Sequence, residues 1–99
     1  METEQRRNPR RAVSSAVMIS PNGHGHHAPV YDLSAGGARV GPADGWMPEY
    51  GVPLRVAFLL DTDHPIVLHG HVVRVAVDHY GVEFDPDQDE RIERVLRML

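Results

Sequence analysis

Apolar residues in this chain recur at every second position in short runs, and each run is cut off by glycine, proline or aspartate. Over 52–60 the alternation is Val52, Leu54, Val56, Phe58. A period of two places these side chains on one face of an extended strand; on a helix they would scatter around the cylinder. Runs of this length bury one face only if the sheet closes on itself or packs on a second layer. The chain has 99 residues, enough for one domain and one modest core. The alternation therefore points to a small, mostly β architecture.

Six such segments can be marked. The first, over 12–20, carries Val13, Val17 and Ile19, and Pro21-Asn22-Gly23-His24-Gly25 turns the chain. A second over 28–33 carries Val30 and Leu33, and a short third over 37–41 carries Ala38 and Val40. A loop rich in breakers (Pro42, Asp44-Gly45, Pro48, Gly51) leads to the fourth, over 52–60. The fifth runs over 66–77, with Gly70 a bulge or bend, and the sixth covers 80–84. Short strands spaced by Gly/Pro turns predict a six-stranded antiparallel small β-barrel. The period then changes. Ile92, Val95, Leu96 and Leu99 fall at i, i+3, i+4 and i+7, one face of an amphipathic helix. Asp85, Pro86 and Gln88 read as N-cap, first helical residue and capping-box partner, so the helix is predicted over about 86–99, docked across an end of the barrel.

Charge is distributed unevenly. The chain has no lysine, ten arginines and a formal net charge of −4. Arg6, Arg7, Arg10 and Arg11 crowd into six positions of a polar, aperiodic arm over 1–11, whereas 83–90 is acidic. The net charge argues against a general nucleic-acid binder, and the local cluster points to a small anion bound in one place. An arginine-only basic set also follows from a GC-rich genome, but that does not explain the clustering. With no cysteine, neither a disulfide framework nor a thiolate metal site is available. The chain starts with charged residues, and its longest apolar run, 56–60, is strand-sized. Neither a secretory signal nor membrane insertion is expected, and the cytoplasm is the expected location.

A second segment complements the arginines. In Asp32-Leu33-Ser34-Ala35-Gly36-Gly37, Asp32 can accept from a guanine N1–H and N2–H₂. Ser34 can serve a phosphate or the turn itself. Gly36 and Gly37 permit positive φ and close approach of backbone to a ligand. Arginine presents a planar fork to phosphate or to guanine O6 and N7, and stacks on flat rings. Together the two segments suit a guanine nucleotide better than a bare phosphate.

Read in order, R-x-x-x-R (Arg6, Arg10) followed by D-x-S-x-x-G (Asp32, Ser34, Gly37) resembles the paired signature of the PilZ domain, a family of small β-barrels that bind cyclic di-GMP. Tyr80-Gly81-Val82-Glu83-Phe84 resembles that family's last strand, and six strands with a terminal helix match its layout. The resemblance implies a cyclic di-GMP site made by Arg6, Arg7, Arg10, Asp32, Ser34, Gly36 and Gly37, with Arg11 secondary. Arg7 to Arg11 also satisfies R-x-x-x-R; Pro9-Arg10 before Ala12-Val13 favours the Arg6–Arg10 register. It further implies an adaptor without catalysis or cofactor that orders its arm on the ligand and signals to an effector protein in trans. The ligand stoichiometry is left open, and the alternative is a PilZ-type protein-interaction module that does not bind the ligand.

Other chemistries are weaker. His24, His26 and His27 cluster on a predicted hairpin tip, but no Cys or Glu completes a zinc set, so a solvated His-rich turn is expected. Asp61, Asp63 and His64 suit an ordinary turn, and there is no nucleophile elbow, P-loop or dinucleotide fingerprint. An RNA platform would need more surface aromatics than six in the whole chain. Trp46 and Met47 are expected to anchor their loop in the barrel mouth.

Overall fold

The computed structural model describes residues 15–59 and 64–98; the predicted arm over 1–11, with Arg6, Arg7, Arg10 and Arg11, lies outside them, as does Leu99. Six strands follow one another: β1 (Ser15–Ile19), β2 (Gly25–Leu33), β3 (Gly37–Val40), β4 (Pro53–Phe58), β5 (Ile66–Val75) and β6 (Tyr80–Phe84). One helix, α1 (Asp89–Arg97), completes the described fold. The order β1-β2-β3-β6-β5-β4 closes on itself through β1 and β4, with every neighbouring pair antiparallel. This is the predicted six-stranded barrel with a C-terminal helix, and closure leaves no sheet edge to protect.

Alternation fills the interior. Met18, Val40, Val56, Phe58, Leu68 and Val72 are completely buried, one or two from each of four strands. Between them the outward positions carry Arg39, Arg55 and His69. Ile92 and Val95 of α1 belong to the same buried cluster, so burial of one helical face holds a segment too short to be helical alone.

Several boundaries differ from the sequence-based expectation. Strand β2 begins at Gly25 because Gly25, His26 and His27 pair with Ile19, Met18 and Val17. The first turn therefore shrinks to 20–24, closed by Ser20 N–H donating to the His24 carbonyl at 3.0 Å. The histidine cluster is thus part strand rather than a solvated turn, and His26 stacks on Trp46 with ring centroids 3.8 Å apart. Trp46 packs on the core and meets the Tyr80 ring edge-on, which makes it the expected loop anchor.

The helix starts later than predicted. Asp87 has φ 69°, a left-handed conformation that no residue inside a right-handed helix adopts, so Pro86 cannot be a first helical residue. Gln88 is the N-cap, and its side chain forms no cap hydrogen bond. Its amide instead mimics a strand. Nε2 donates to the carbonyls of His69 and Asp85, both at 2.8 Å, and Oε1 accepts from His69 N–H at 2.7 Å. Asp89 and Glu90 in the first turn, with Arg94 and Arg97 in the last, complement the helix dipole.

Gly70 is not a bulge. It pairs in register with Leu54 and Phe84, and a Cβ there would sit 2.6 Å from the Glu83 carbonyl oxygen. The register of β5 against β6 shifts three residues later, between Val72 and Arg74. A second shift lies in β2 between Val30 and Asp32.

Candidate functional site

The two shifts build the outer face of the barrel. Val30 pairs with Val40 and Asp32 with Arg39, so Tyr31 is the extra residue in β2. Strict alternation from the buried Val30 would send Asp32 into the core. The bulge turns it outward and returns Leu33 to the core side. Likewise Val72 pairs with Val82 and Arg74 with Gly81, leaving Val73 as the extra residue in β5. Alternation from Val72 would bury Arg74; the bulge leaves Val73, Arg74 and Val75 all exposed. Asp32, Arg39, Gly81 and Arg74 consequently form a row across four adjacent strands, β2, β3, β6 and β5.

An open cleft of about 270 Å³ lies on this row, lined by Asp32, Ser34, Gly37, Ala38, Arg39, Arg74, His79 and Gly81. Three of the residues singled out by sequence, Asp32, Ser34 and Gly37, meet in it. The Asp32 carboxylate pairs with the Arg39 guanidinium at 3.2 Å. Ser34 holds the turn: its N–H donates to the Gly37 carbonyl at 2.9 Å and its hydroxyl donates to the same oxygen at 3.3 Å. Opposite, the His79 ring is fixed by a 2.9 Å contact between Nδ1 and the Asp78 carboxylate. That hydrogen bond is the first cause that holds the Asp78 carboxyl below its ordinary range. Arg74 makes no ion pair or side-chain hydrogen bond among the described residues.

The glycines act differently from the expectation. Neither Gly36 nor Gly37 takes a positive φ. A Cβ on Gly37 would collide with the Val82 carbonyl oxygen, so close packing of β3 against β6 already requires glycine there. Gly36 does not line the cleft; its carbonyl accepts from Phe84 N–H at 2.9 Å, and a Cβ there would meet nothing within 4 Å.

Arg39, Arg74 and His79 were not marked by the sequence motifs, and Gly81 only as part of the last-strand resemblance. Arg39 had a signal, because it lies between Ala38 and Val40 in an alternating strand and must face outward. Arg74 had none, since its direction depends on the bulge at Val73. Among the described residues no three His, Asp or Glu side chains converge to hold a metal ion, and no helix is long and apolar enough to cross a membrane.

The fold thus defines a class: small, closed, six-stranded antiparallel barrels with a terminal helix and a polar cleft on the outer wall. The model of the PilZ domain matches residues 4–99, and the chain belongs to that family. Among solved structures it is similar to the crystal structure of the PilZ domain of CeSA from a cellulose-synthesizing bacterium. The TM-score is 0.74 at 18% identity, covering 91% of this chain and 96% of that one. That likeness speaks for the fold. No curated protein matches the chain.

Proposed function

We propose that this protein binds cyclic di-GMP in the Asp32–Gly81 cleft and passes the signal to an effector protein in trans, without catalysis or a cofactor. The observation that carries the reading is the convergence of Asp32, Ser34 and Gly37 with two arginines and a histidine in one cleft. Asp32 supplies an acceptor for guanine N–H groups, and Arg39 and Arg74 supply charge-assisted donors for phosphate or for guanine O6 and N7.

The cleft is smaller than the roughly 300–1,000 Å³ typical of sites that enclose a whole ligand, so it would hold only part of a dinucleotide. In this reading Arg6, Arg7 and Arg10, with Arg11 in support, close over the remainder and exclude water. Ordering an arm of about ten residues costs conformational entropy. Bidentate contacts to two phosphates and stacking of guanine on arginine offset it. The closed arm is then a surface absent from the free protein, which an effector can recognise.

Titration calorimetry with cyclic di-GMP tests the proposal. The wild-type protein gives saturable heat at micromolar ligand, and Arg10→Ala and Asp32→Ala each weaken it at least tenfold. Excess ligand raises the melting temperature of the wild type. Absence of wild-type heat and of any thermal shift overturns the reading.

A second reading, a protein-interaction module that does without the ligand, has one observation in its favour. A groove of about 310 Å³ between α1 and the Ser34–Gly37 turn is lined by Ala35, Ile92 and Leu96, with Asp89 and Glu93 at its rim. The same calorimetry decides between the two.

A further inference from the structure

Gly81 occupies the centre of the row that crosses the cleft. Its two register partners are Arg39 on β3 and Arg74 on β5. Neighbouring strands lie roughly 4.8 Å apart, so the two arginine backbones are separated by about 10 Å with a residue lacking a side chain between them. A flat ring held between two guanidinium planes, each at a contact distance of roughly 3.5–4 Å, needs about 7–8 Å. The row has that width and a bare floor.

Three further observations favour a ring over a simple anion. The Arg39 guanidinium, a planar group that stacks on flat rings, is tethered beside the row by Asp32 at 3.2 Å. Arg74 is turned outward only because Val73 is extra in β5, a deformation placed beside the cleft. Gly81 is not required by packing. A Cβ there would meet the Cβ of Arg74 at 3.5 Å and a methyl of Val73 at 4.0 Å, both ordinary contacts, and its φ is not positive. Gly37 and Gly70, by contrast, are forced to be glycine by neighbouring carbonyls. The empty floor at Gly81 therefore serves something outside the barrel.

We propose that Arg39, Gly81 and Arg74 form a purine seat, in which one base of the dinucleotide lies over Gly81 between the two guanidinium groups. The inference rests on the proposed cyclic di-GMP reading and adds residues on β5 and β6 that neither sequence motif contains. Asp32 tethers Arg39 through Oδ2. Arg74 acts through its plane as well as its charge.

The test is calorimetry with cyclic di-GMP on the full chain, comparing wild type with Arg74→Ala, Arg74→Lys, Arg39→Ala and Gly81→Val. Stacking of this kind predicts roughly 5- to 30-fold weaker binding for Arg74→Ala. Arg74→Lys keeps the charge but lacks the plane, so it stays weak. Gly81→Val fills the floor and weakens binding at least as much, and its melting curve reports whether the barrel is intact. In the wild-type complex, NMR shows the Gly81 Hα protons moved downfield, because the sandwiched ring stands with its edge toward them. Wild-type binding with Arg74→Ala unchanged within twofold, or full recovery in Arg74→Lys, overturns the purine seat and leaves the ligand reading standing. Absence of wild-type binding overturns both.

Discussion

Asp32 and Arg74 face the same cleft because each follows a residue that its strand has in excess, Tyr31 in β2 and Val73 in β5. Without those bulges the inside–outside alternation would direct both charged groups into an apolar barrel, where an unpaired charge costs several kcal/mol. The same local irregularity thus protects the core and furnishes the site. It also separates site from scaffold energetically, since Arg39 and Arg74 are exposed. The Asp32–Arg39 pair, half exposed on the arginine side, is expected to contribute under about 1 kcal/mol. Arg39→Ala and Arg74→Ala should therefore melt within a few degrees of wild type, which differential scanning calorimetry checks.

The two glycines of the turn should respond oppositely to the same change. Gly37→Ala drives a methyl into the Val82 carbonyl oxygen, and the backbone on both strands must shift. Overpacking of that kind costs about 1–3 kcal/mol, or a melting temperature lower by roughly 5–20 °C for a domain of this size. Gly36→Ala meets nothing within 4 Å and should change stability by no more than about 0.5 kcal/mol. Thermal melts of the two variants side by side, without ligand, separate packing from any role in binding.

Gln88 ties the helix start to the end of the sheet. Its three hydrogen bonds reach His69 N–H, His69 carbonyl and the Asp85 carbonyl, and the side chain is buried at 6% exposure. The His69 carbonyl also accepts from Asp85 N–H at 2.9 Å, so it survives loss of the amide, but His69 N–H does not. Gln88→Ala is expected to cost about 1–3 kcal/mol. Gln88→Glu should be worse at neutral pH, because a carboxylate replaces the donor facing two carbonyls, and should partly recover as the pH falls and the carboxyl regains a proton. Urea melts at two pH values check both variants.

How much of this was legible beforehand follows from what each feature depends on. The strands were readable because alternation such as Leu54, Val56, Phe58 is a local property that tertiary structure preserved. Helix α1 was readable from Ile92 and Val95, yet its start was not. The string Asp85, Pro86, Gln88 satisfies a capping rule, while the Gln88 amide has a stronger use on His69, a contact across nineteen residues that no local rule contains. Within the site, Asp32, Ser34 and Gly37 share one turn and could be found together. Arg74 could not, because its direction is set by Val73, and no residue type marks that bulge. One trace was present for the other bulge. Val30 and Leu33 are three apart, an odd spacing that cannot put both on one face of a regular strand.

The His79–Asp78 contact gives a pH signature at the rim of the cleft. The hydrogen bond from His79 holds the Asp78 carboxyl below its ordinary range. A carboxyl lowered on folding contributes stability that is complete above its unfolded value and disappears as the pH falls through the lowered folded value. The contribution should therefore fade in acid below the ordinary carboxylate range. It should be small, since Asp78 is exposed. In an NMR titration the Asp78 carboxyl carbon should show a depressed midpoint that rises in His79→Ala. An unaltered midpoint in that variant would mean the contact does not persist in solution.

Tyr80 offers the sharpest stability test, because its ring and its hydroxyl oppose each other. The side chain is completely buried, its ring meets the edge of Trp46 at 6.2 Å, and its Oη has no hydrogen-bond partner among the described residues. The ring contributes packing, whereas the orphaned hydroxyl carries a desolvation cost of about 1–3 kcal/mol. Tyr80→Phe keeps the ring and removes the oxygen, so it should leave stability unchanged or raise it by up to about 2 kcal/mol. Tyr80→Ala removes both and should cost about 3–5 kcal/mol. Burial also pushes the phenol well above its ordinary value. Unfolded Tyr80 ionises near pH 10 while the folded residue stays neutral, so stability is full below about pH 10 and falls as the pH rises beyond it. Tyr80→Phe should lose that part of the alkaline slope. Chemical denaturation between pH 7 and pH 11 measures both effects. A Phe variant less stable than wild type by more than 1 kcal/mol at neutral pH would show that the hydroxyl has a partner in solution.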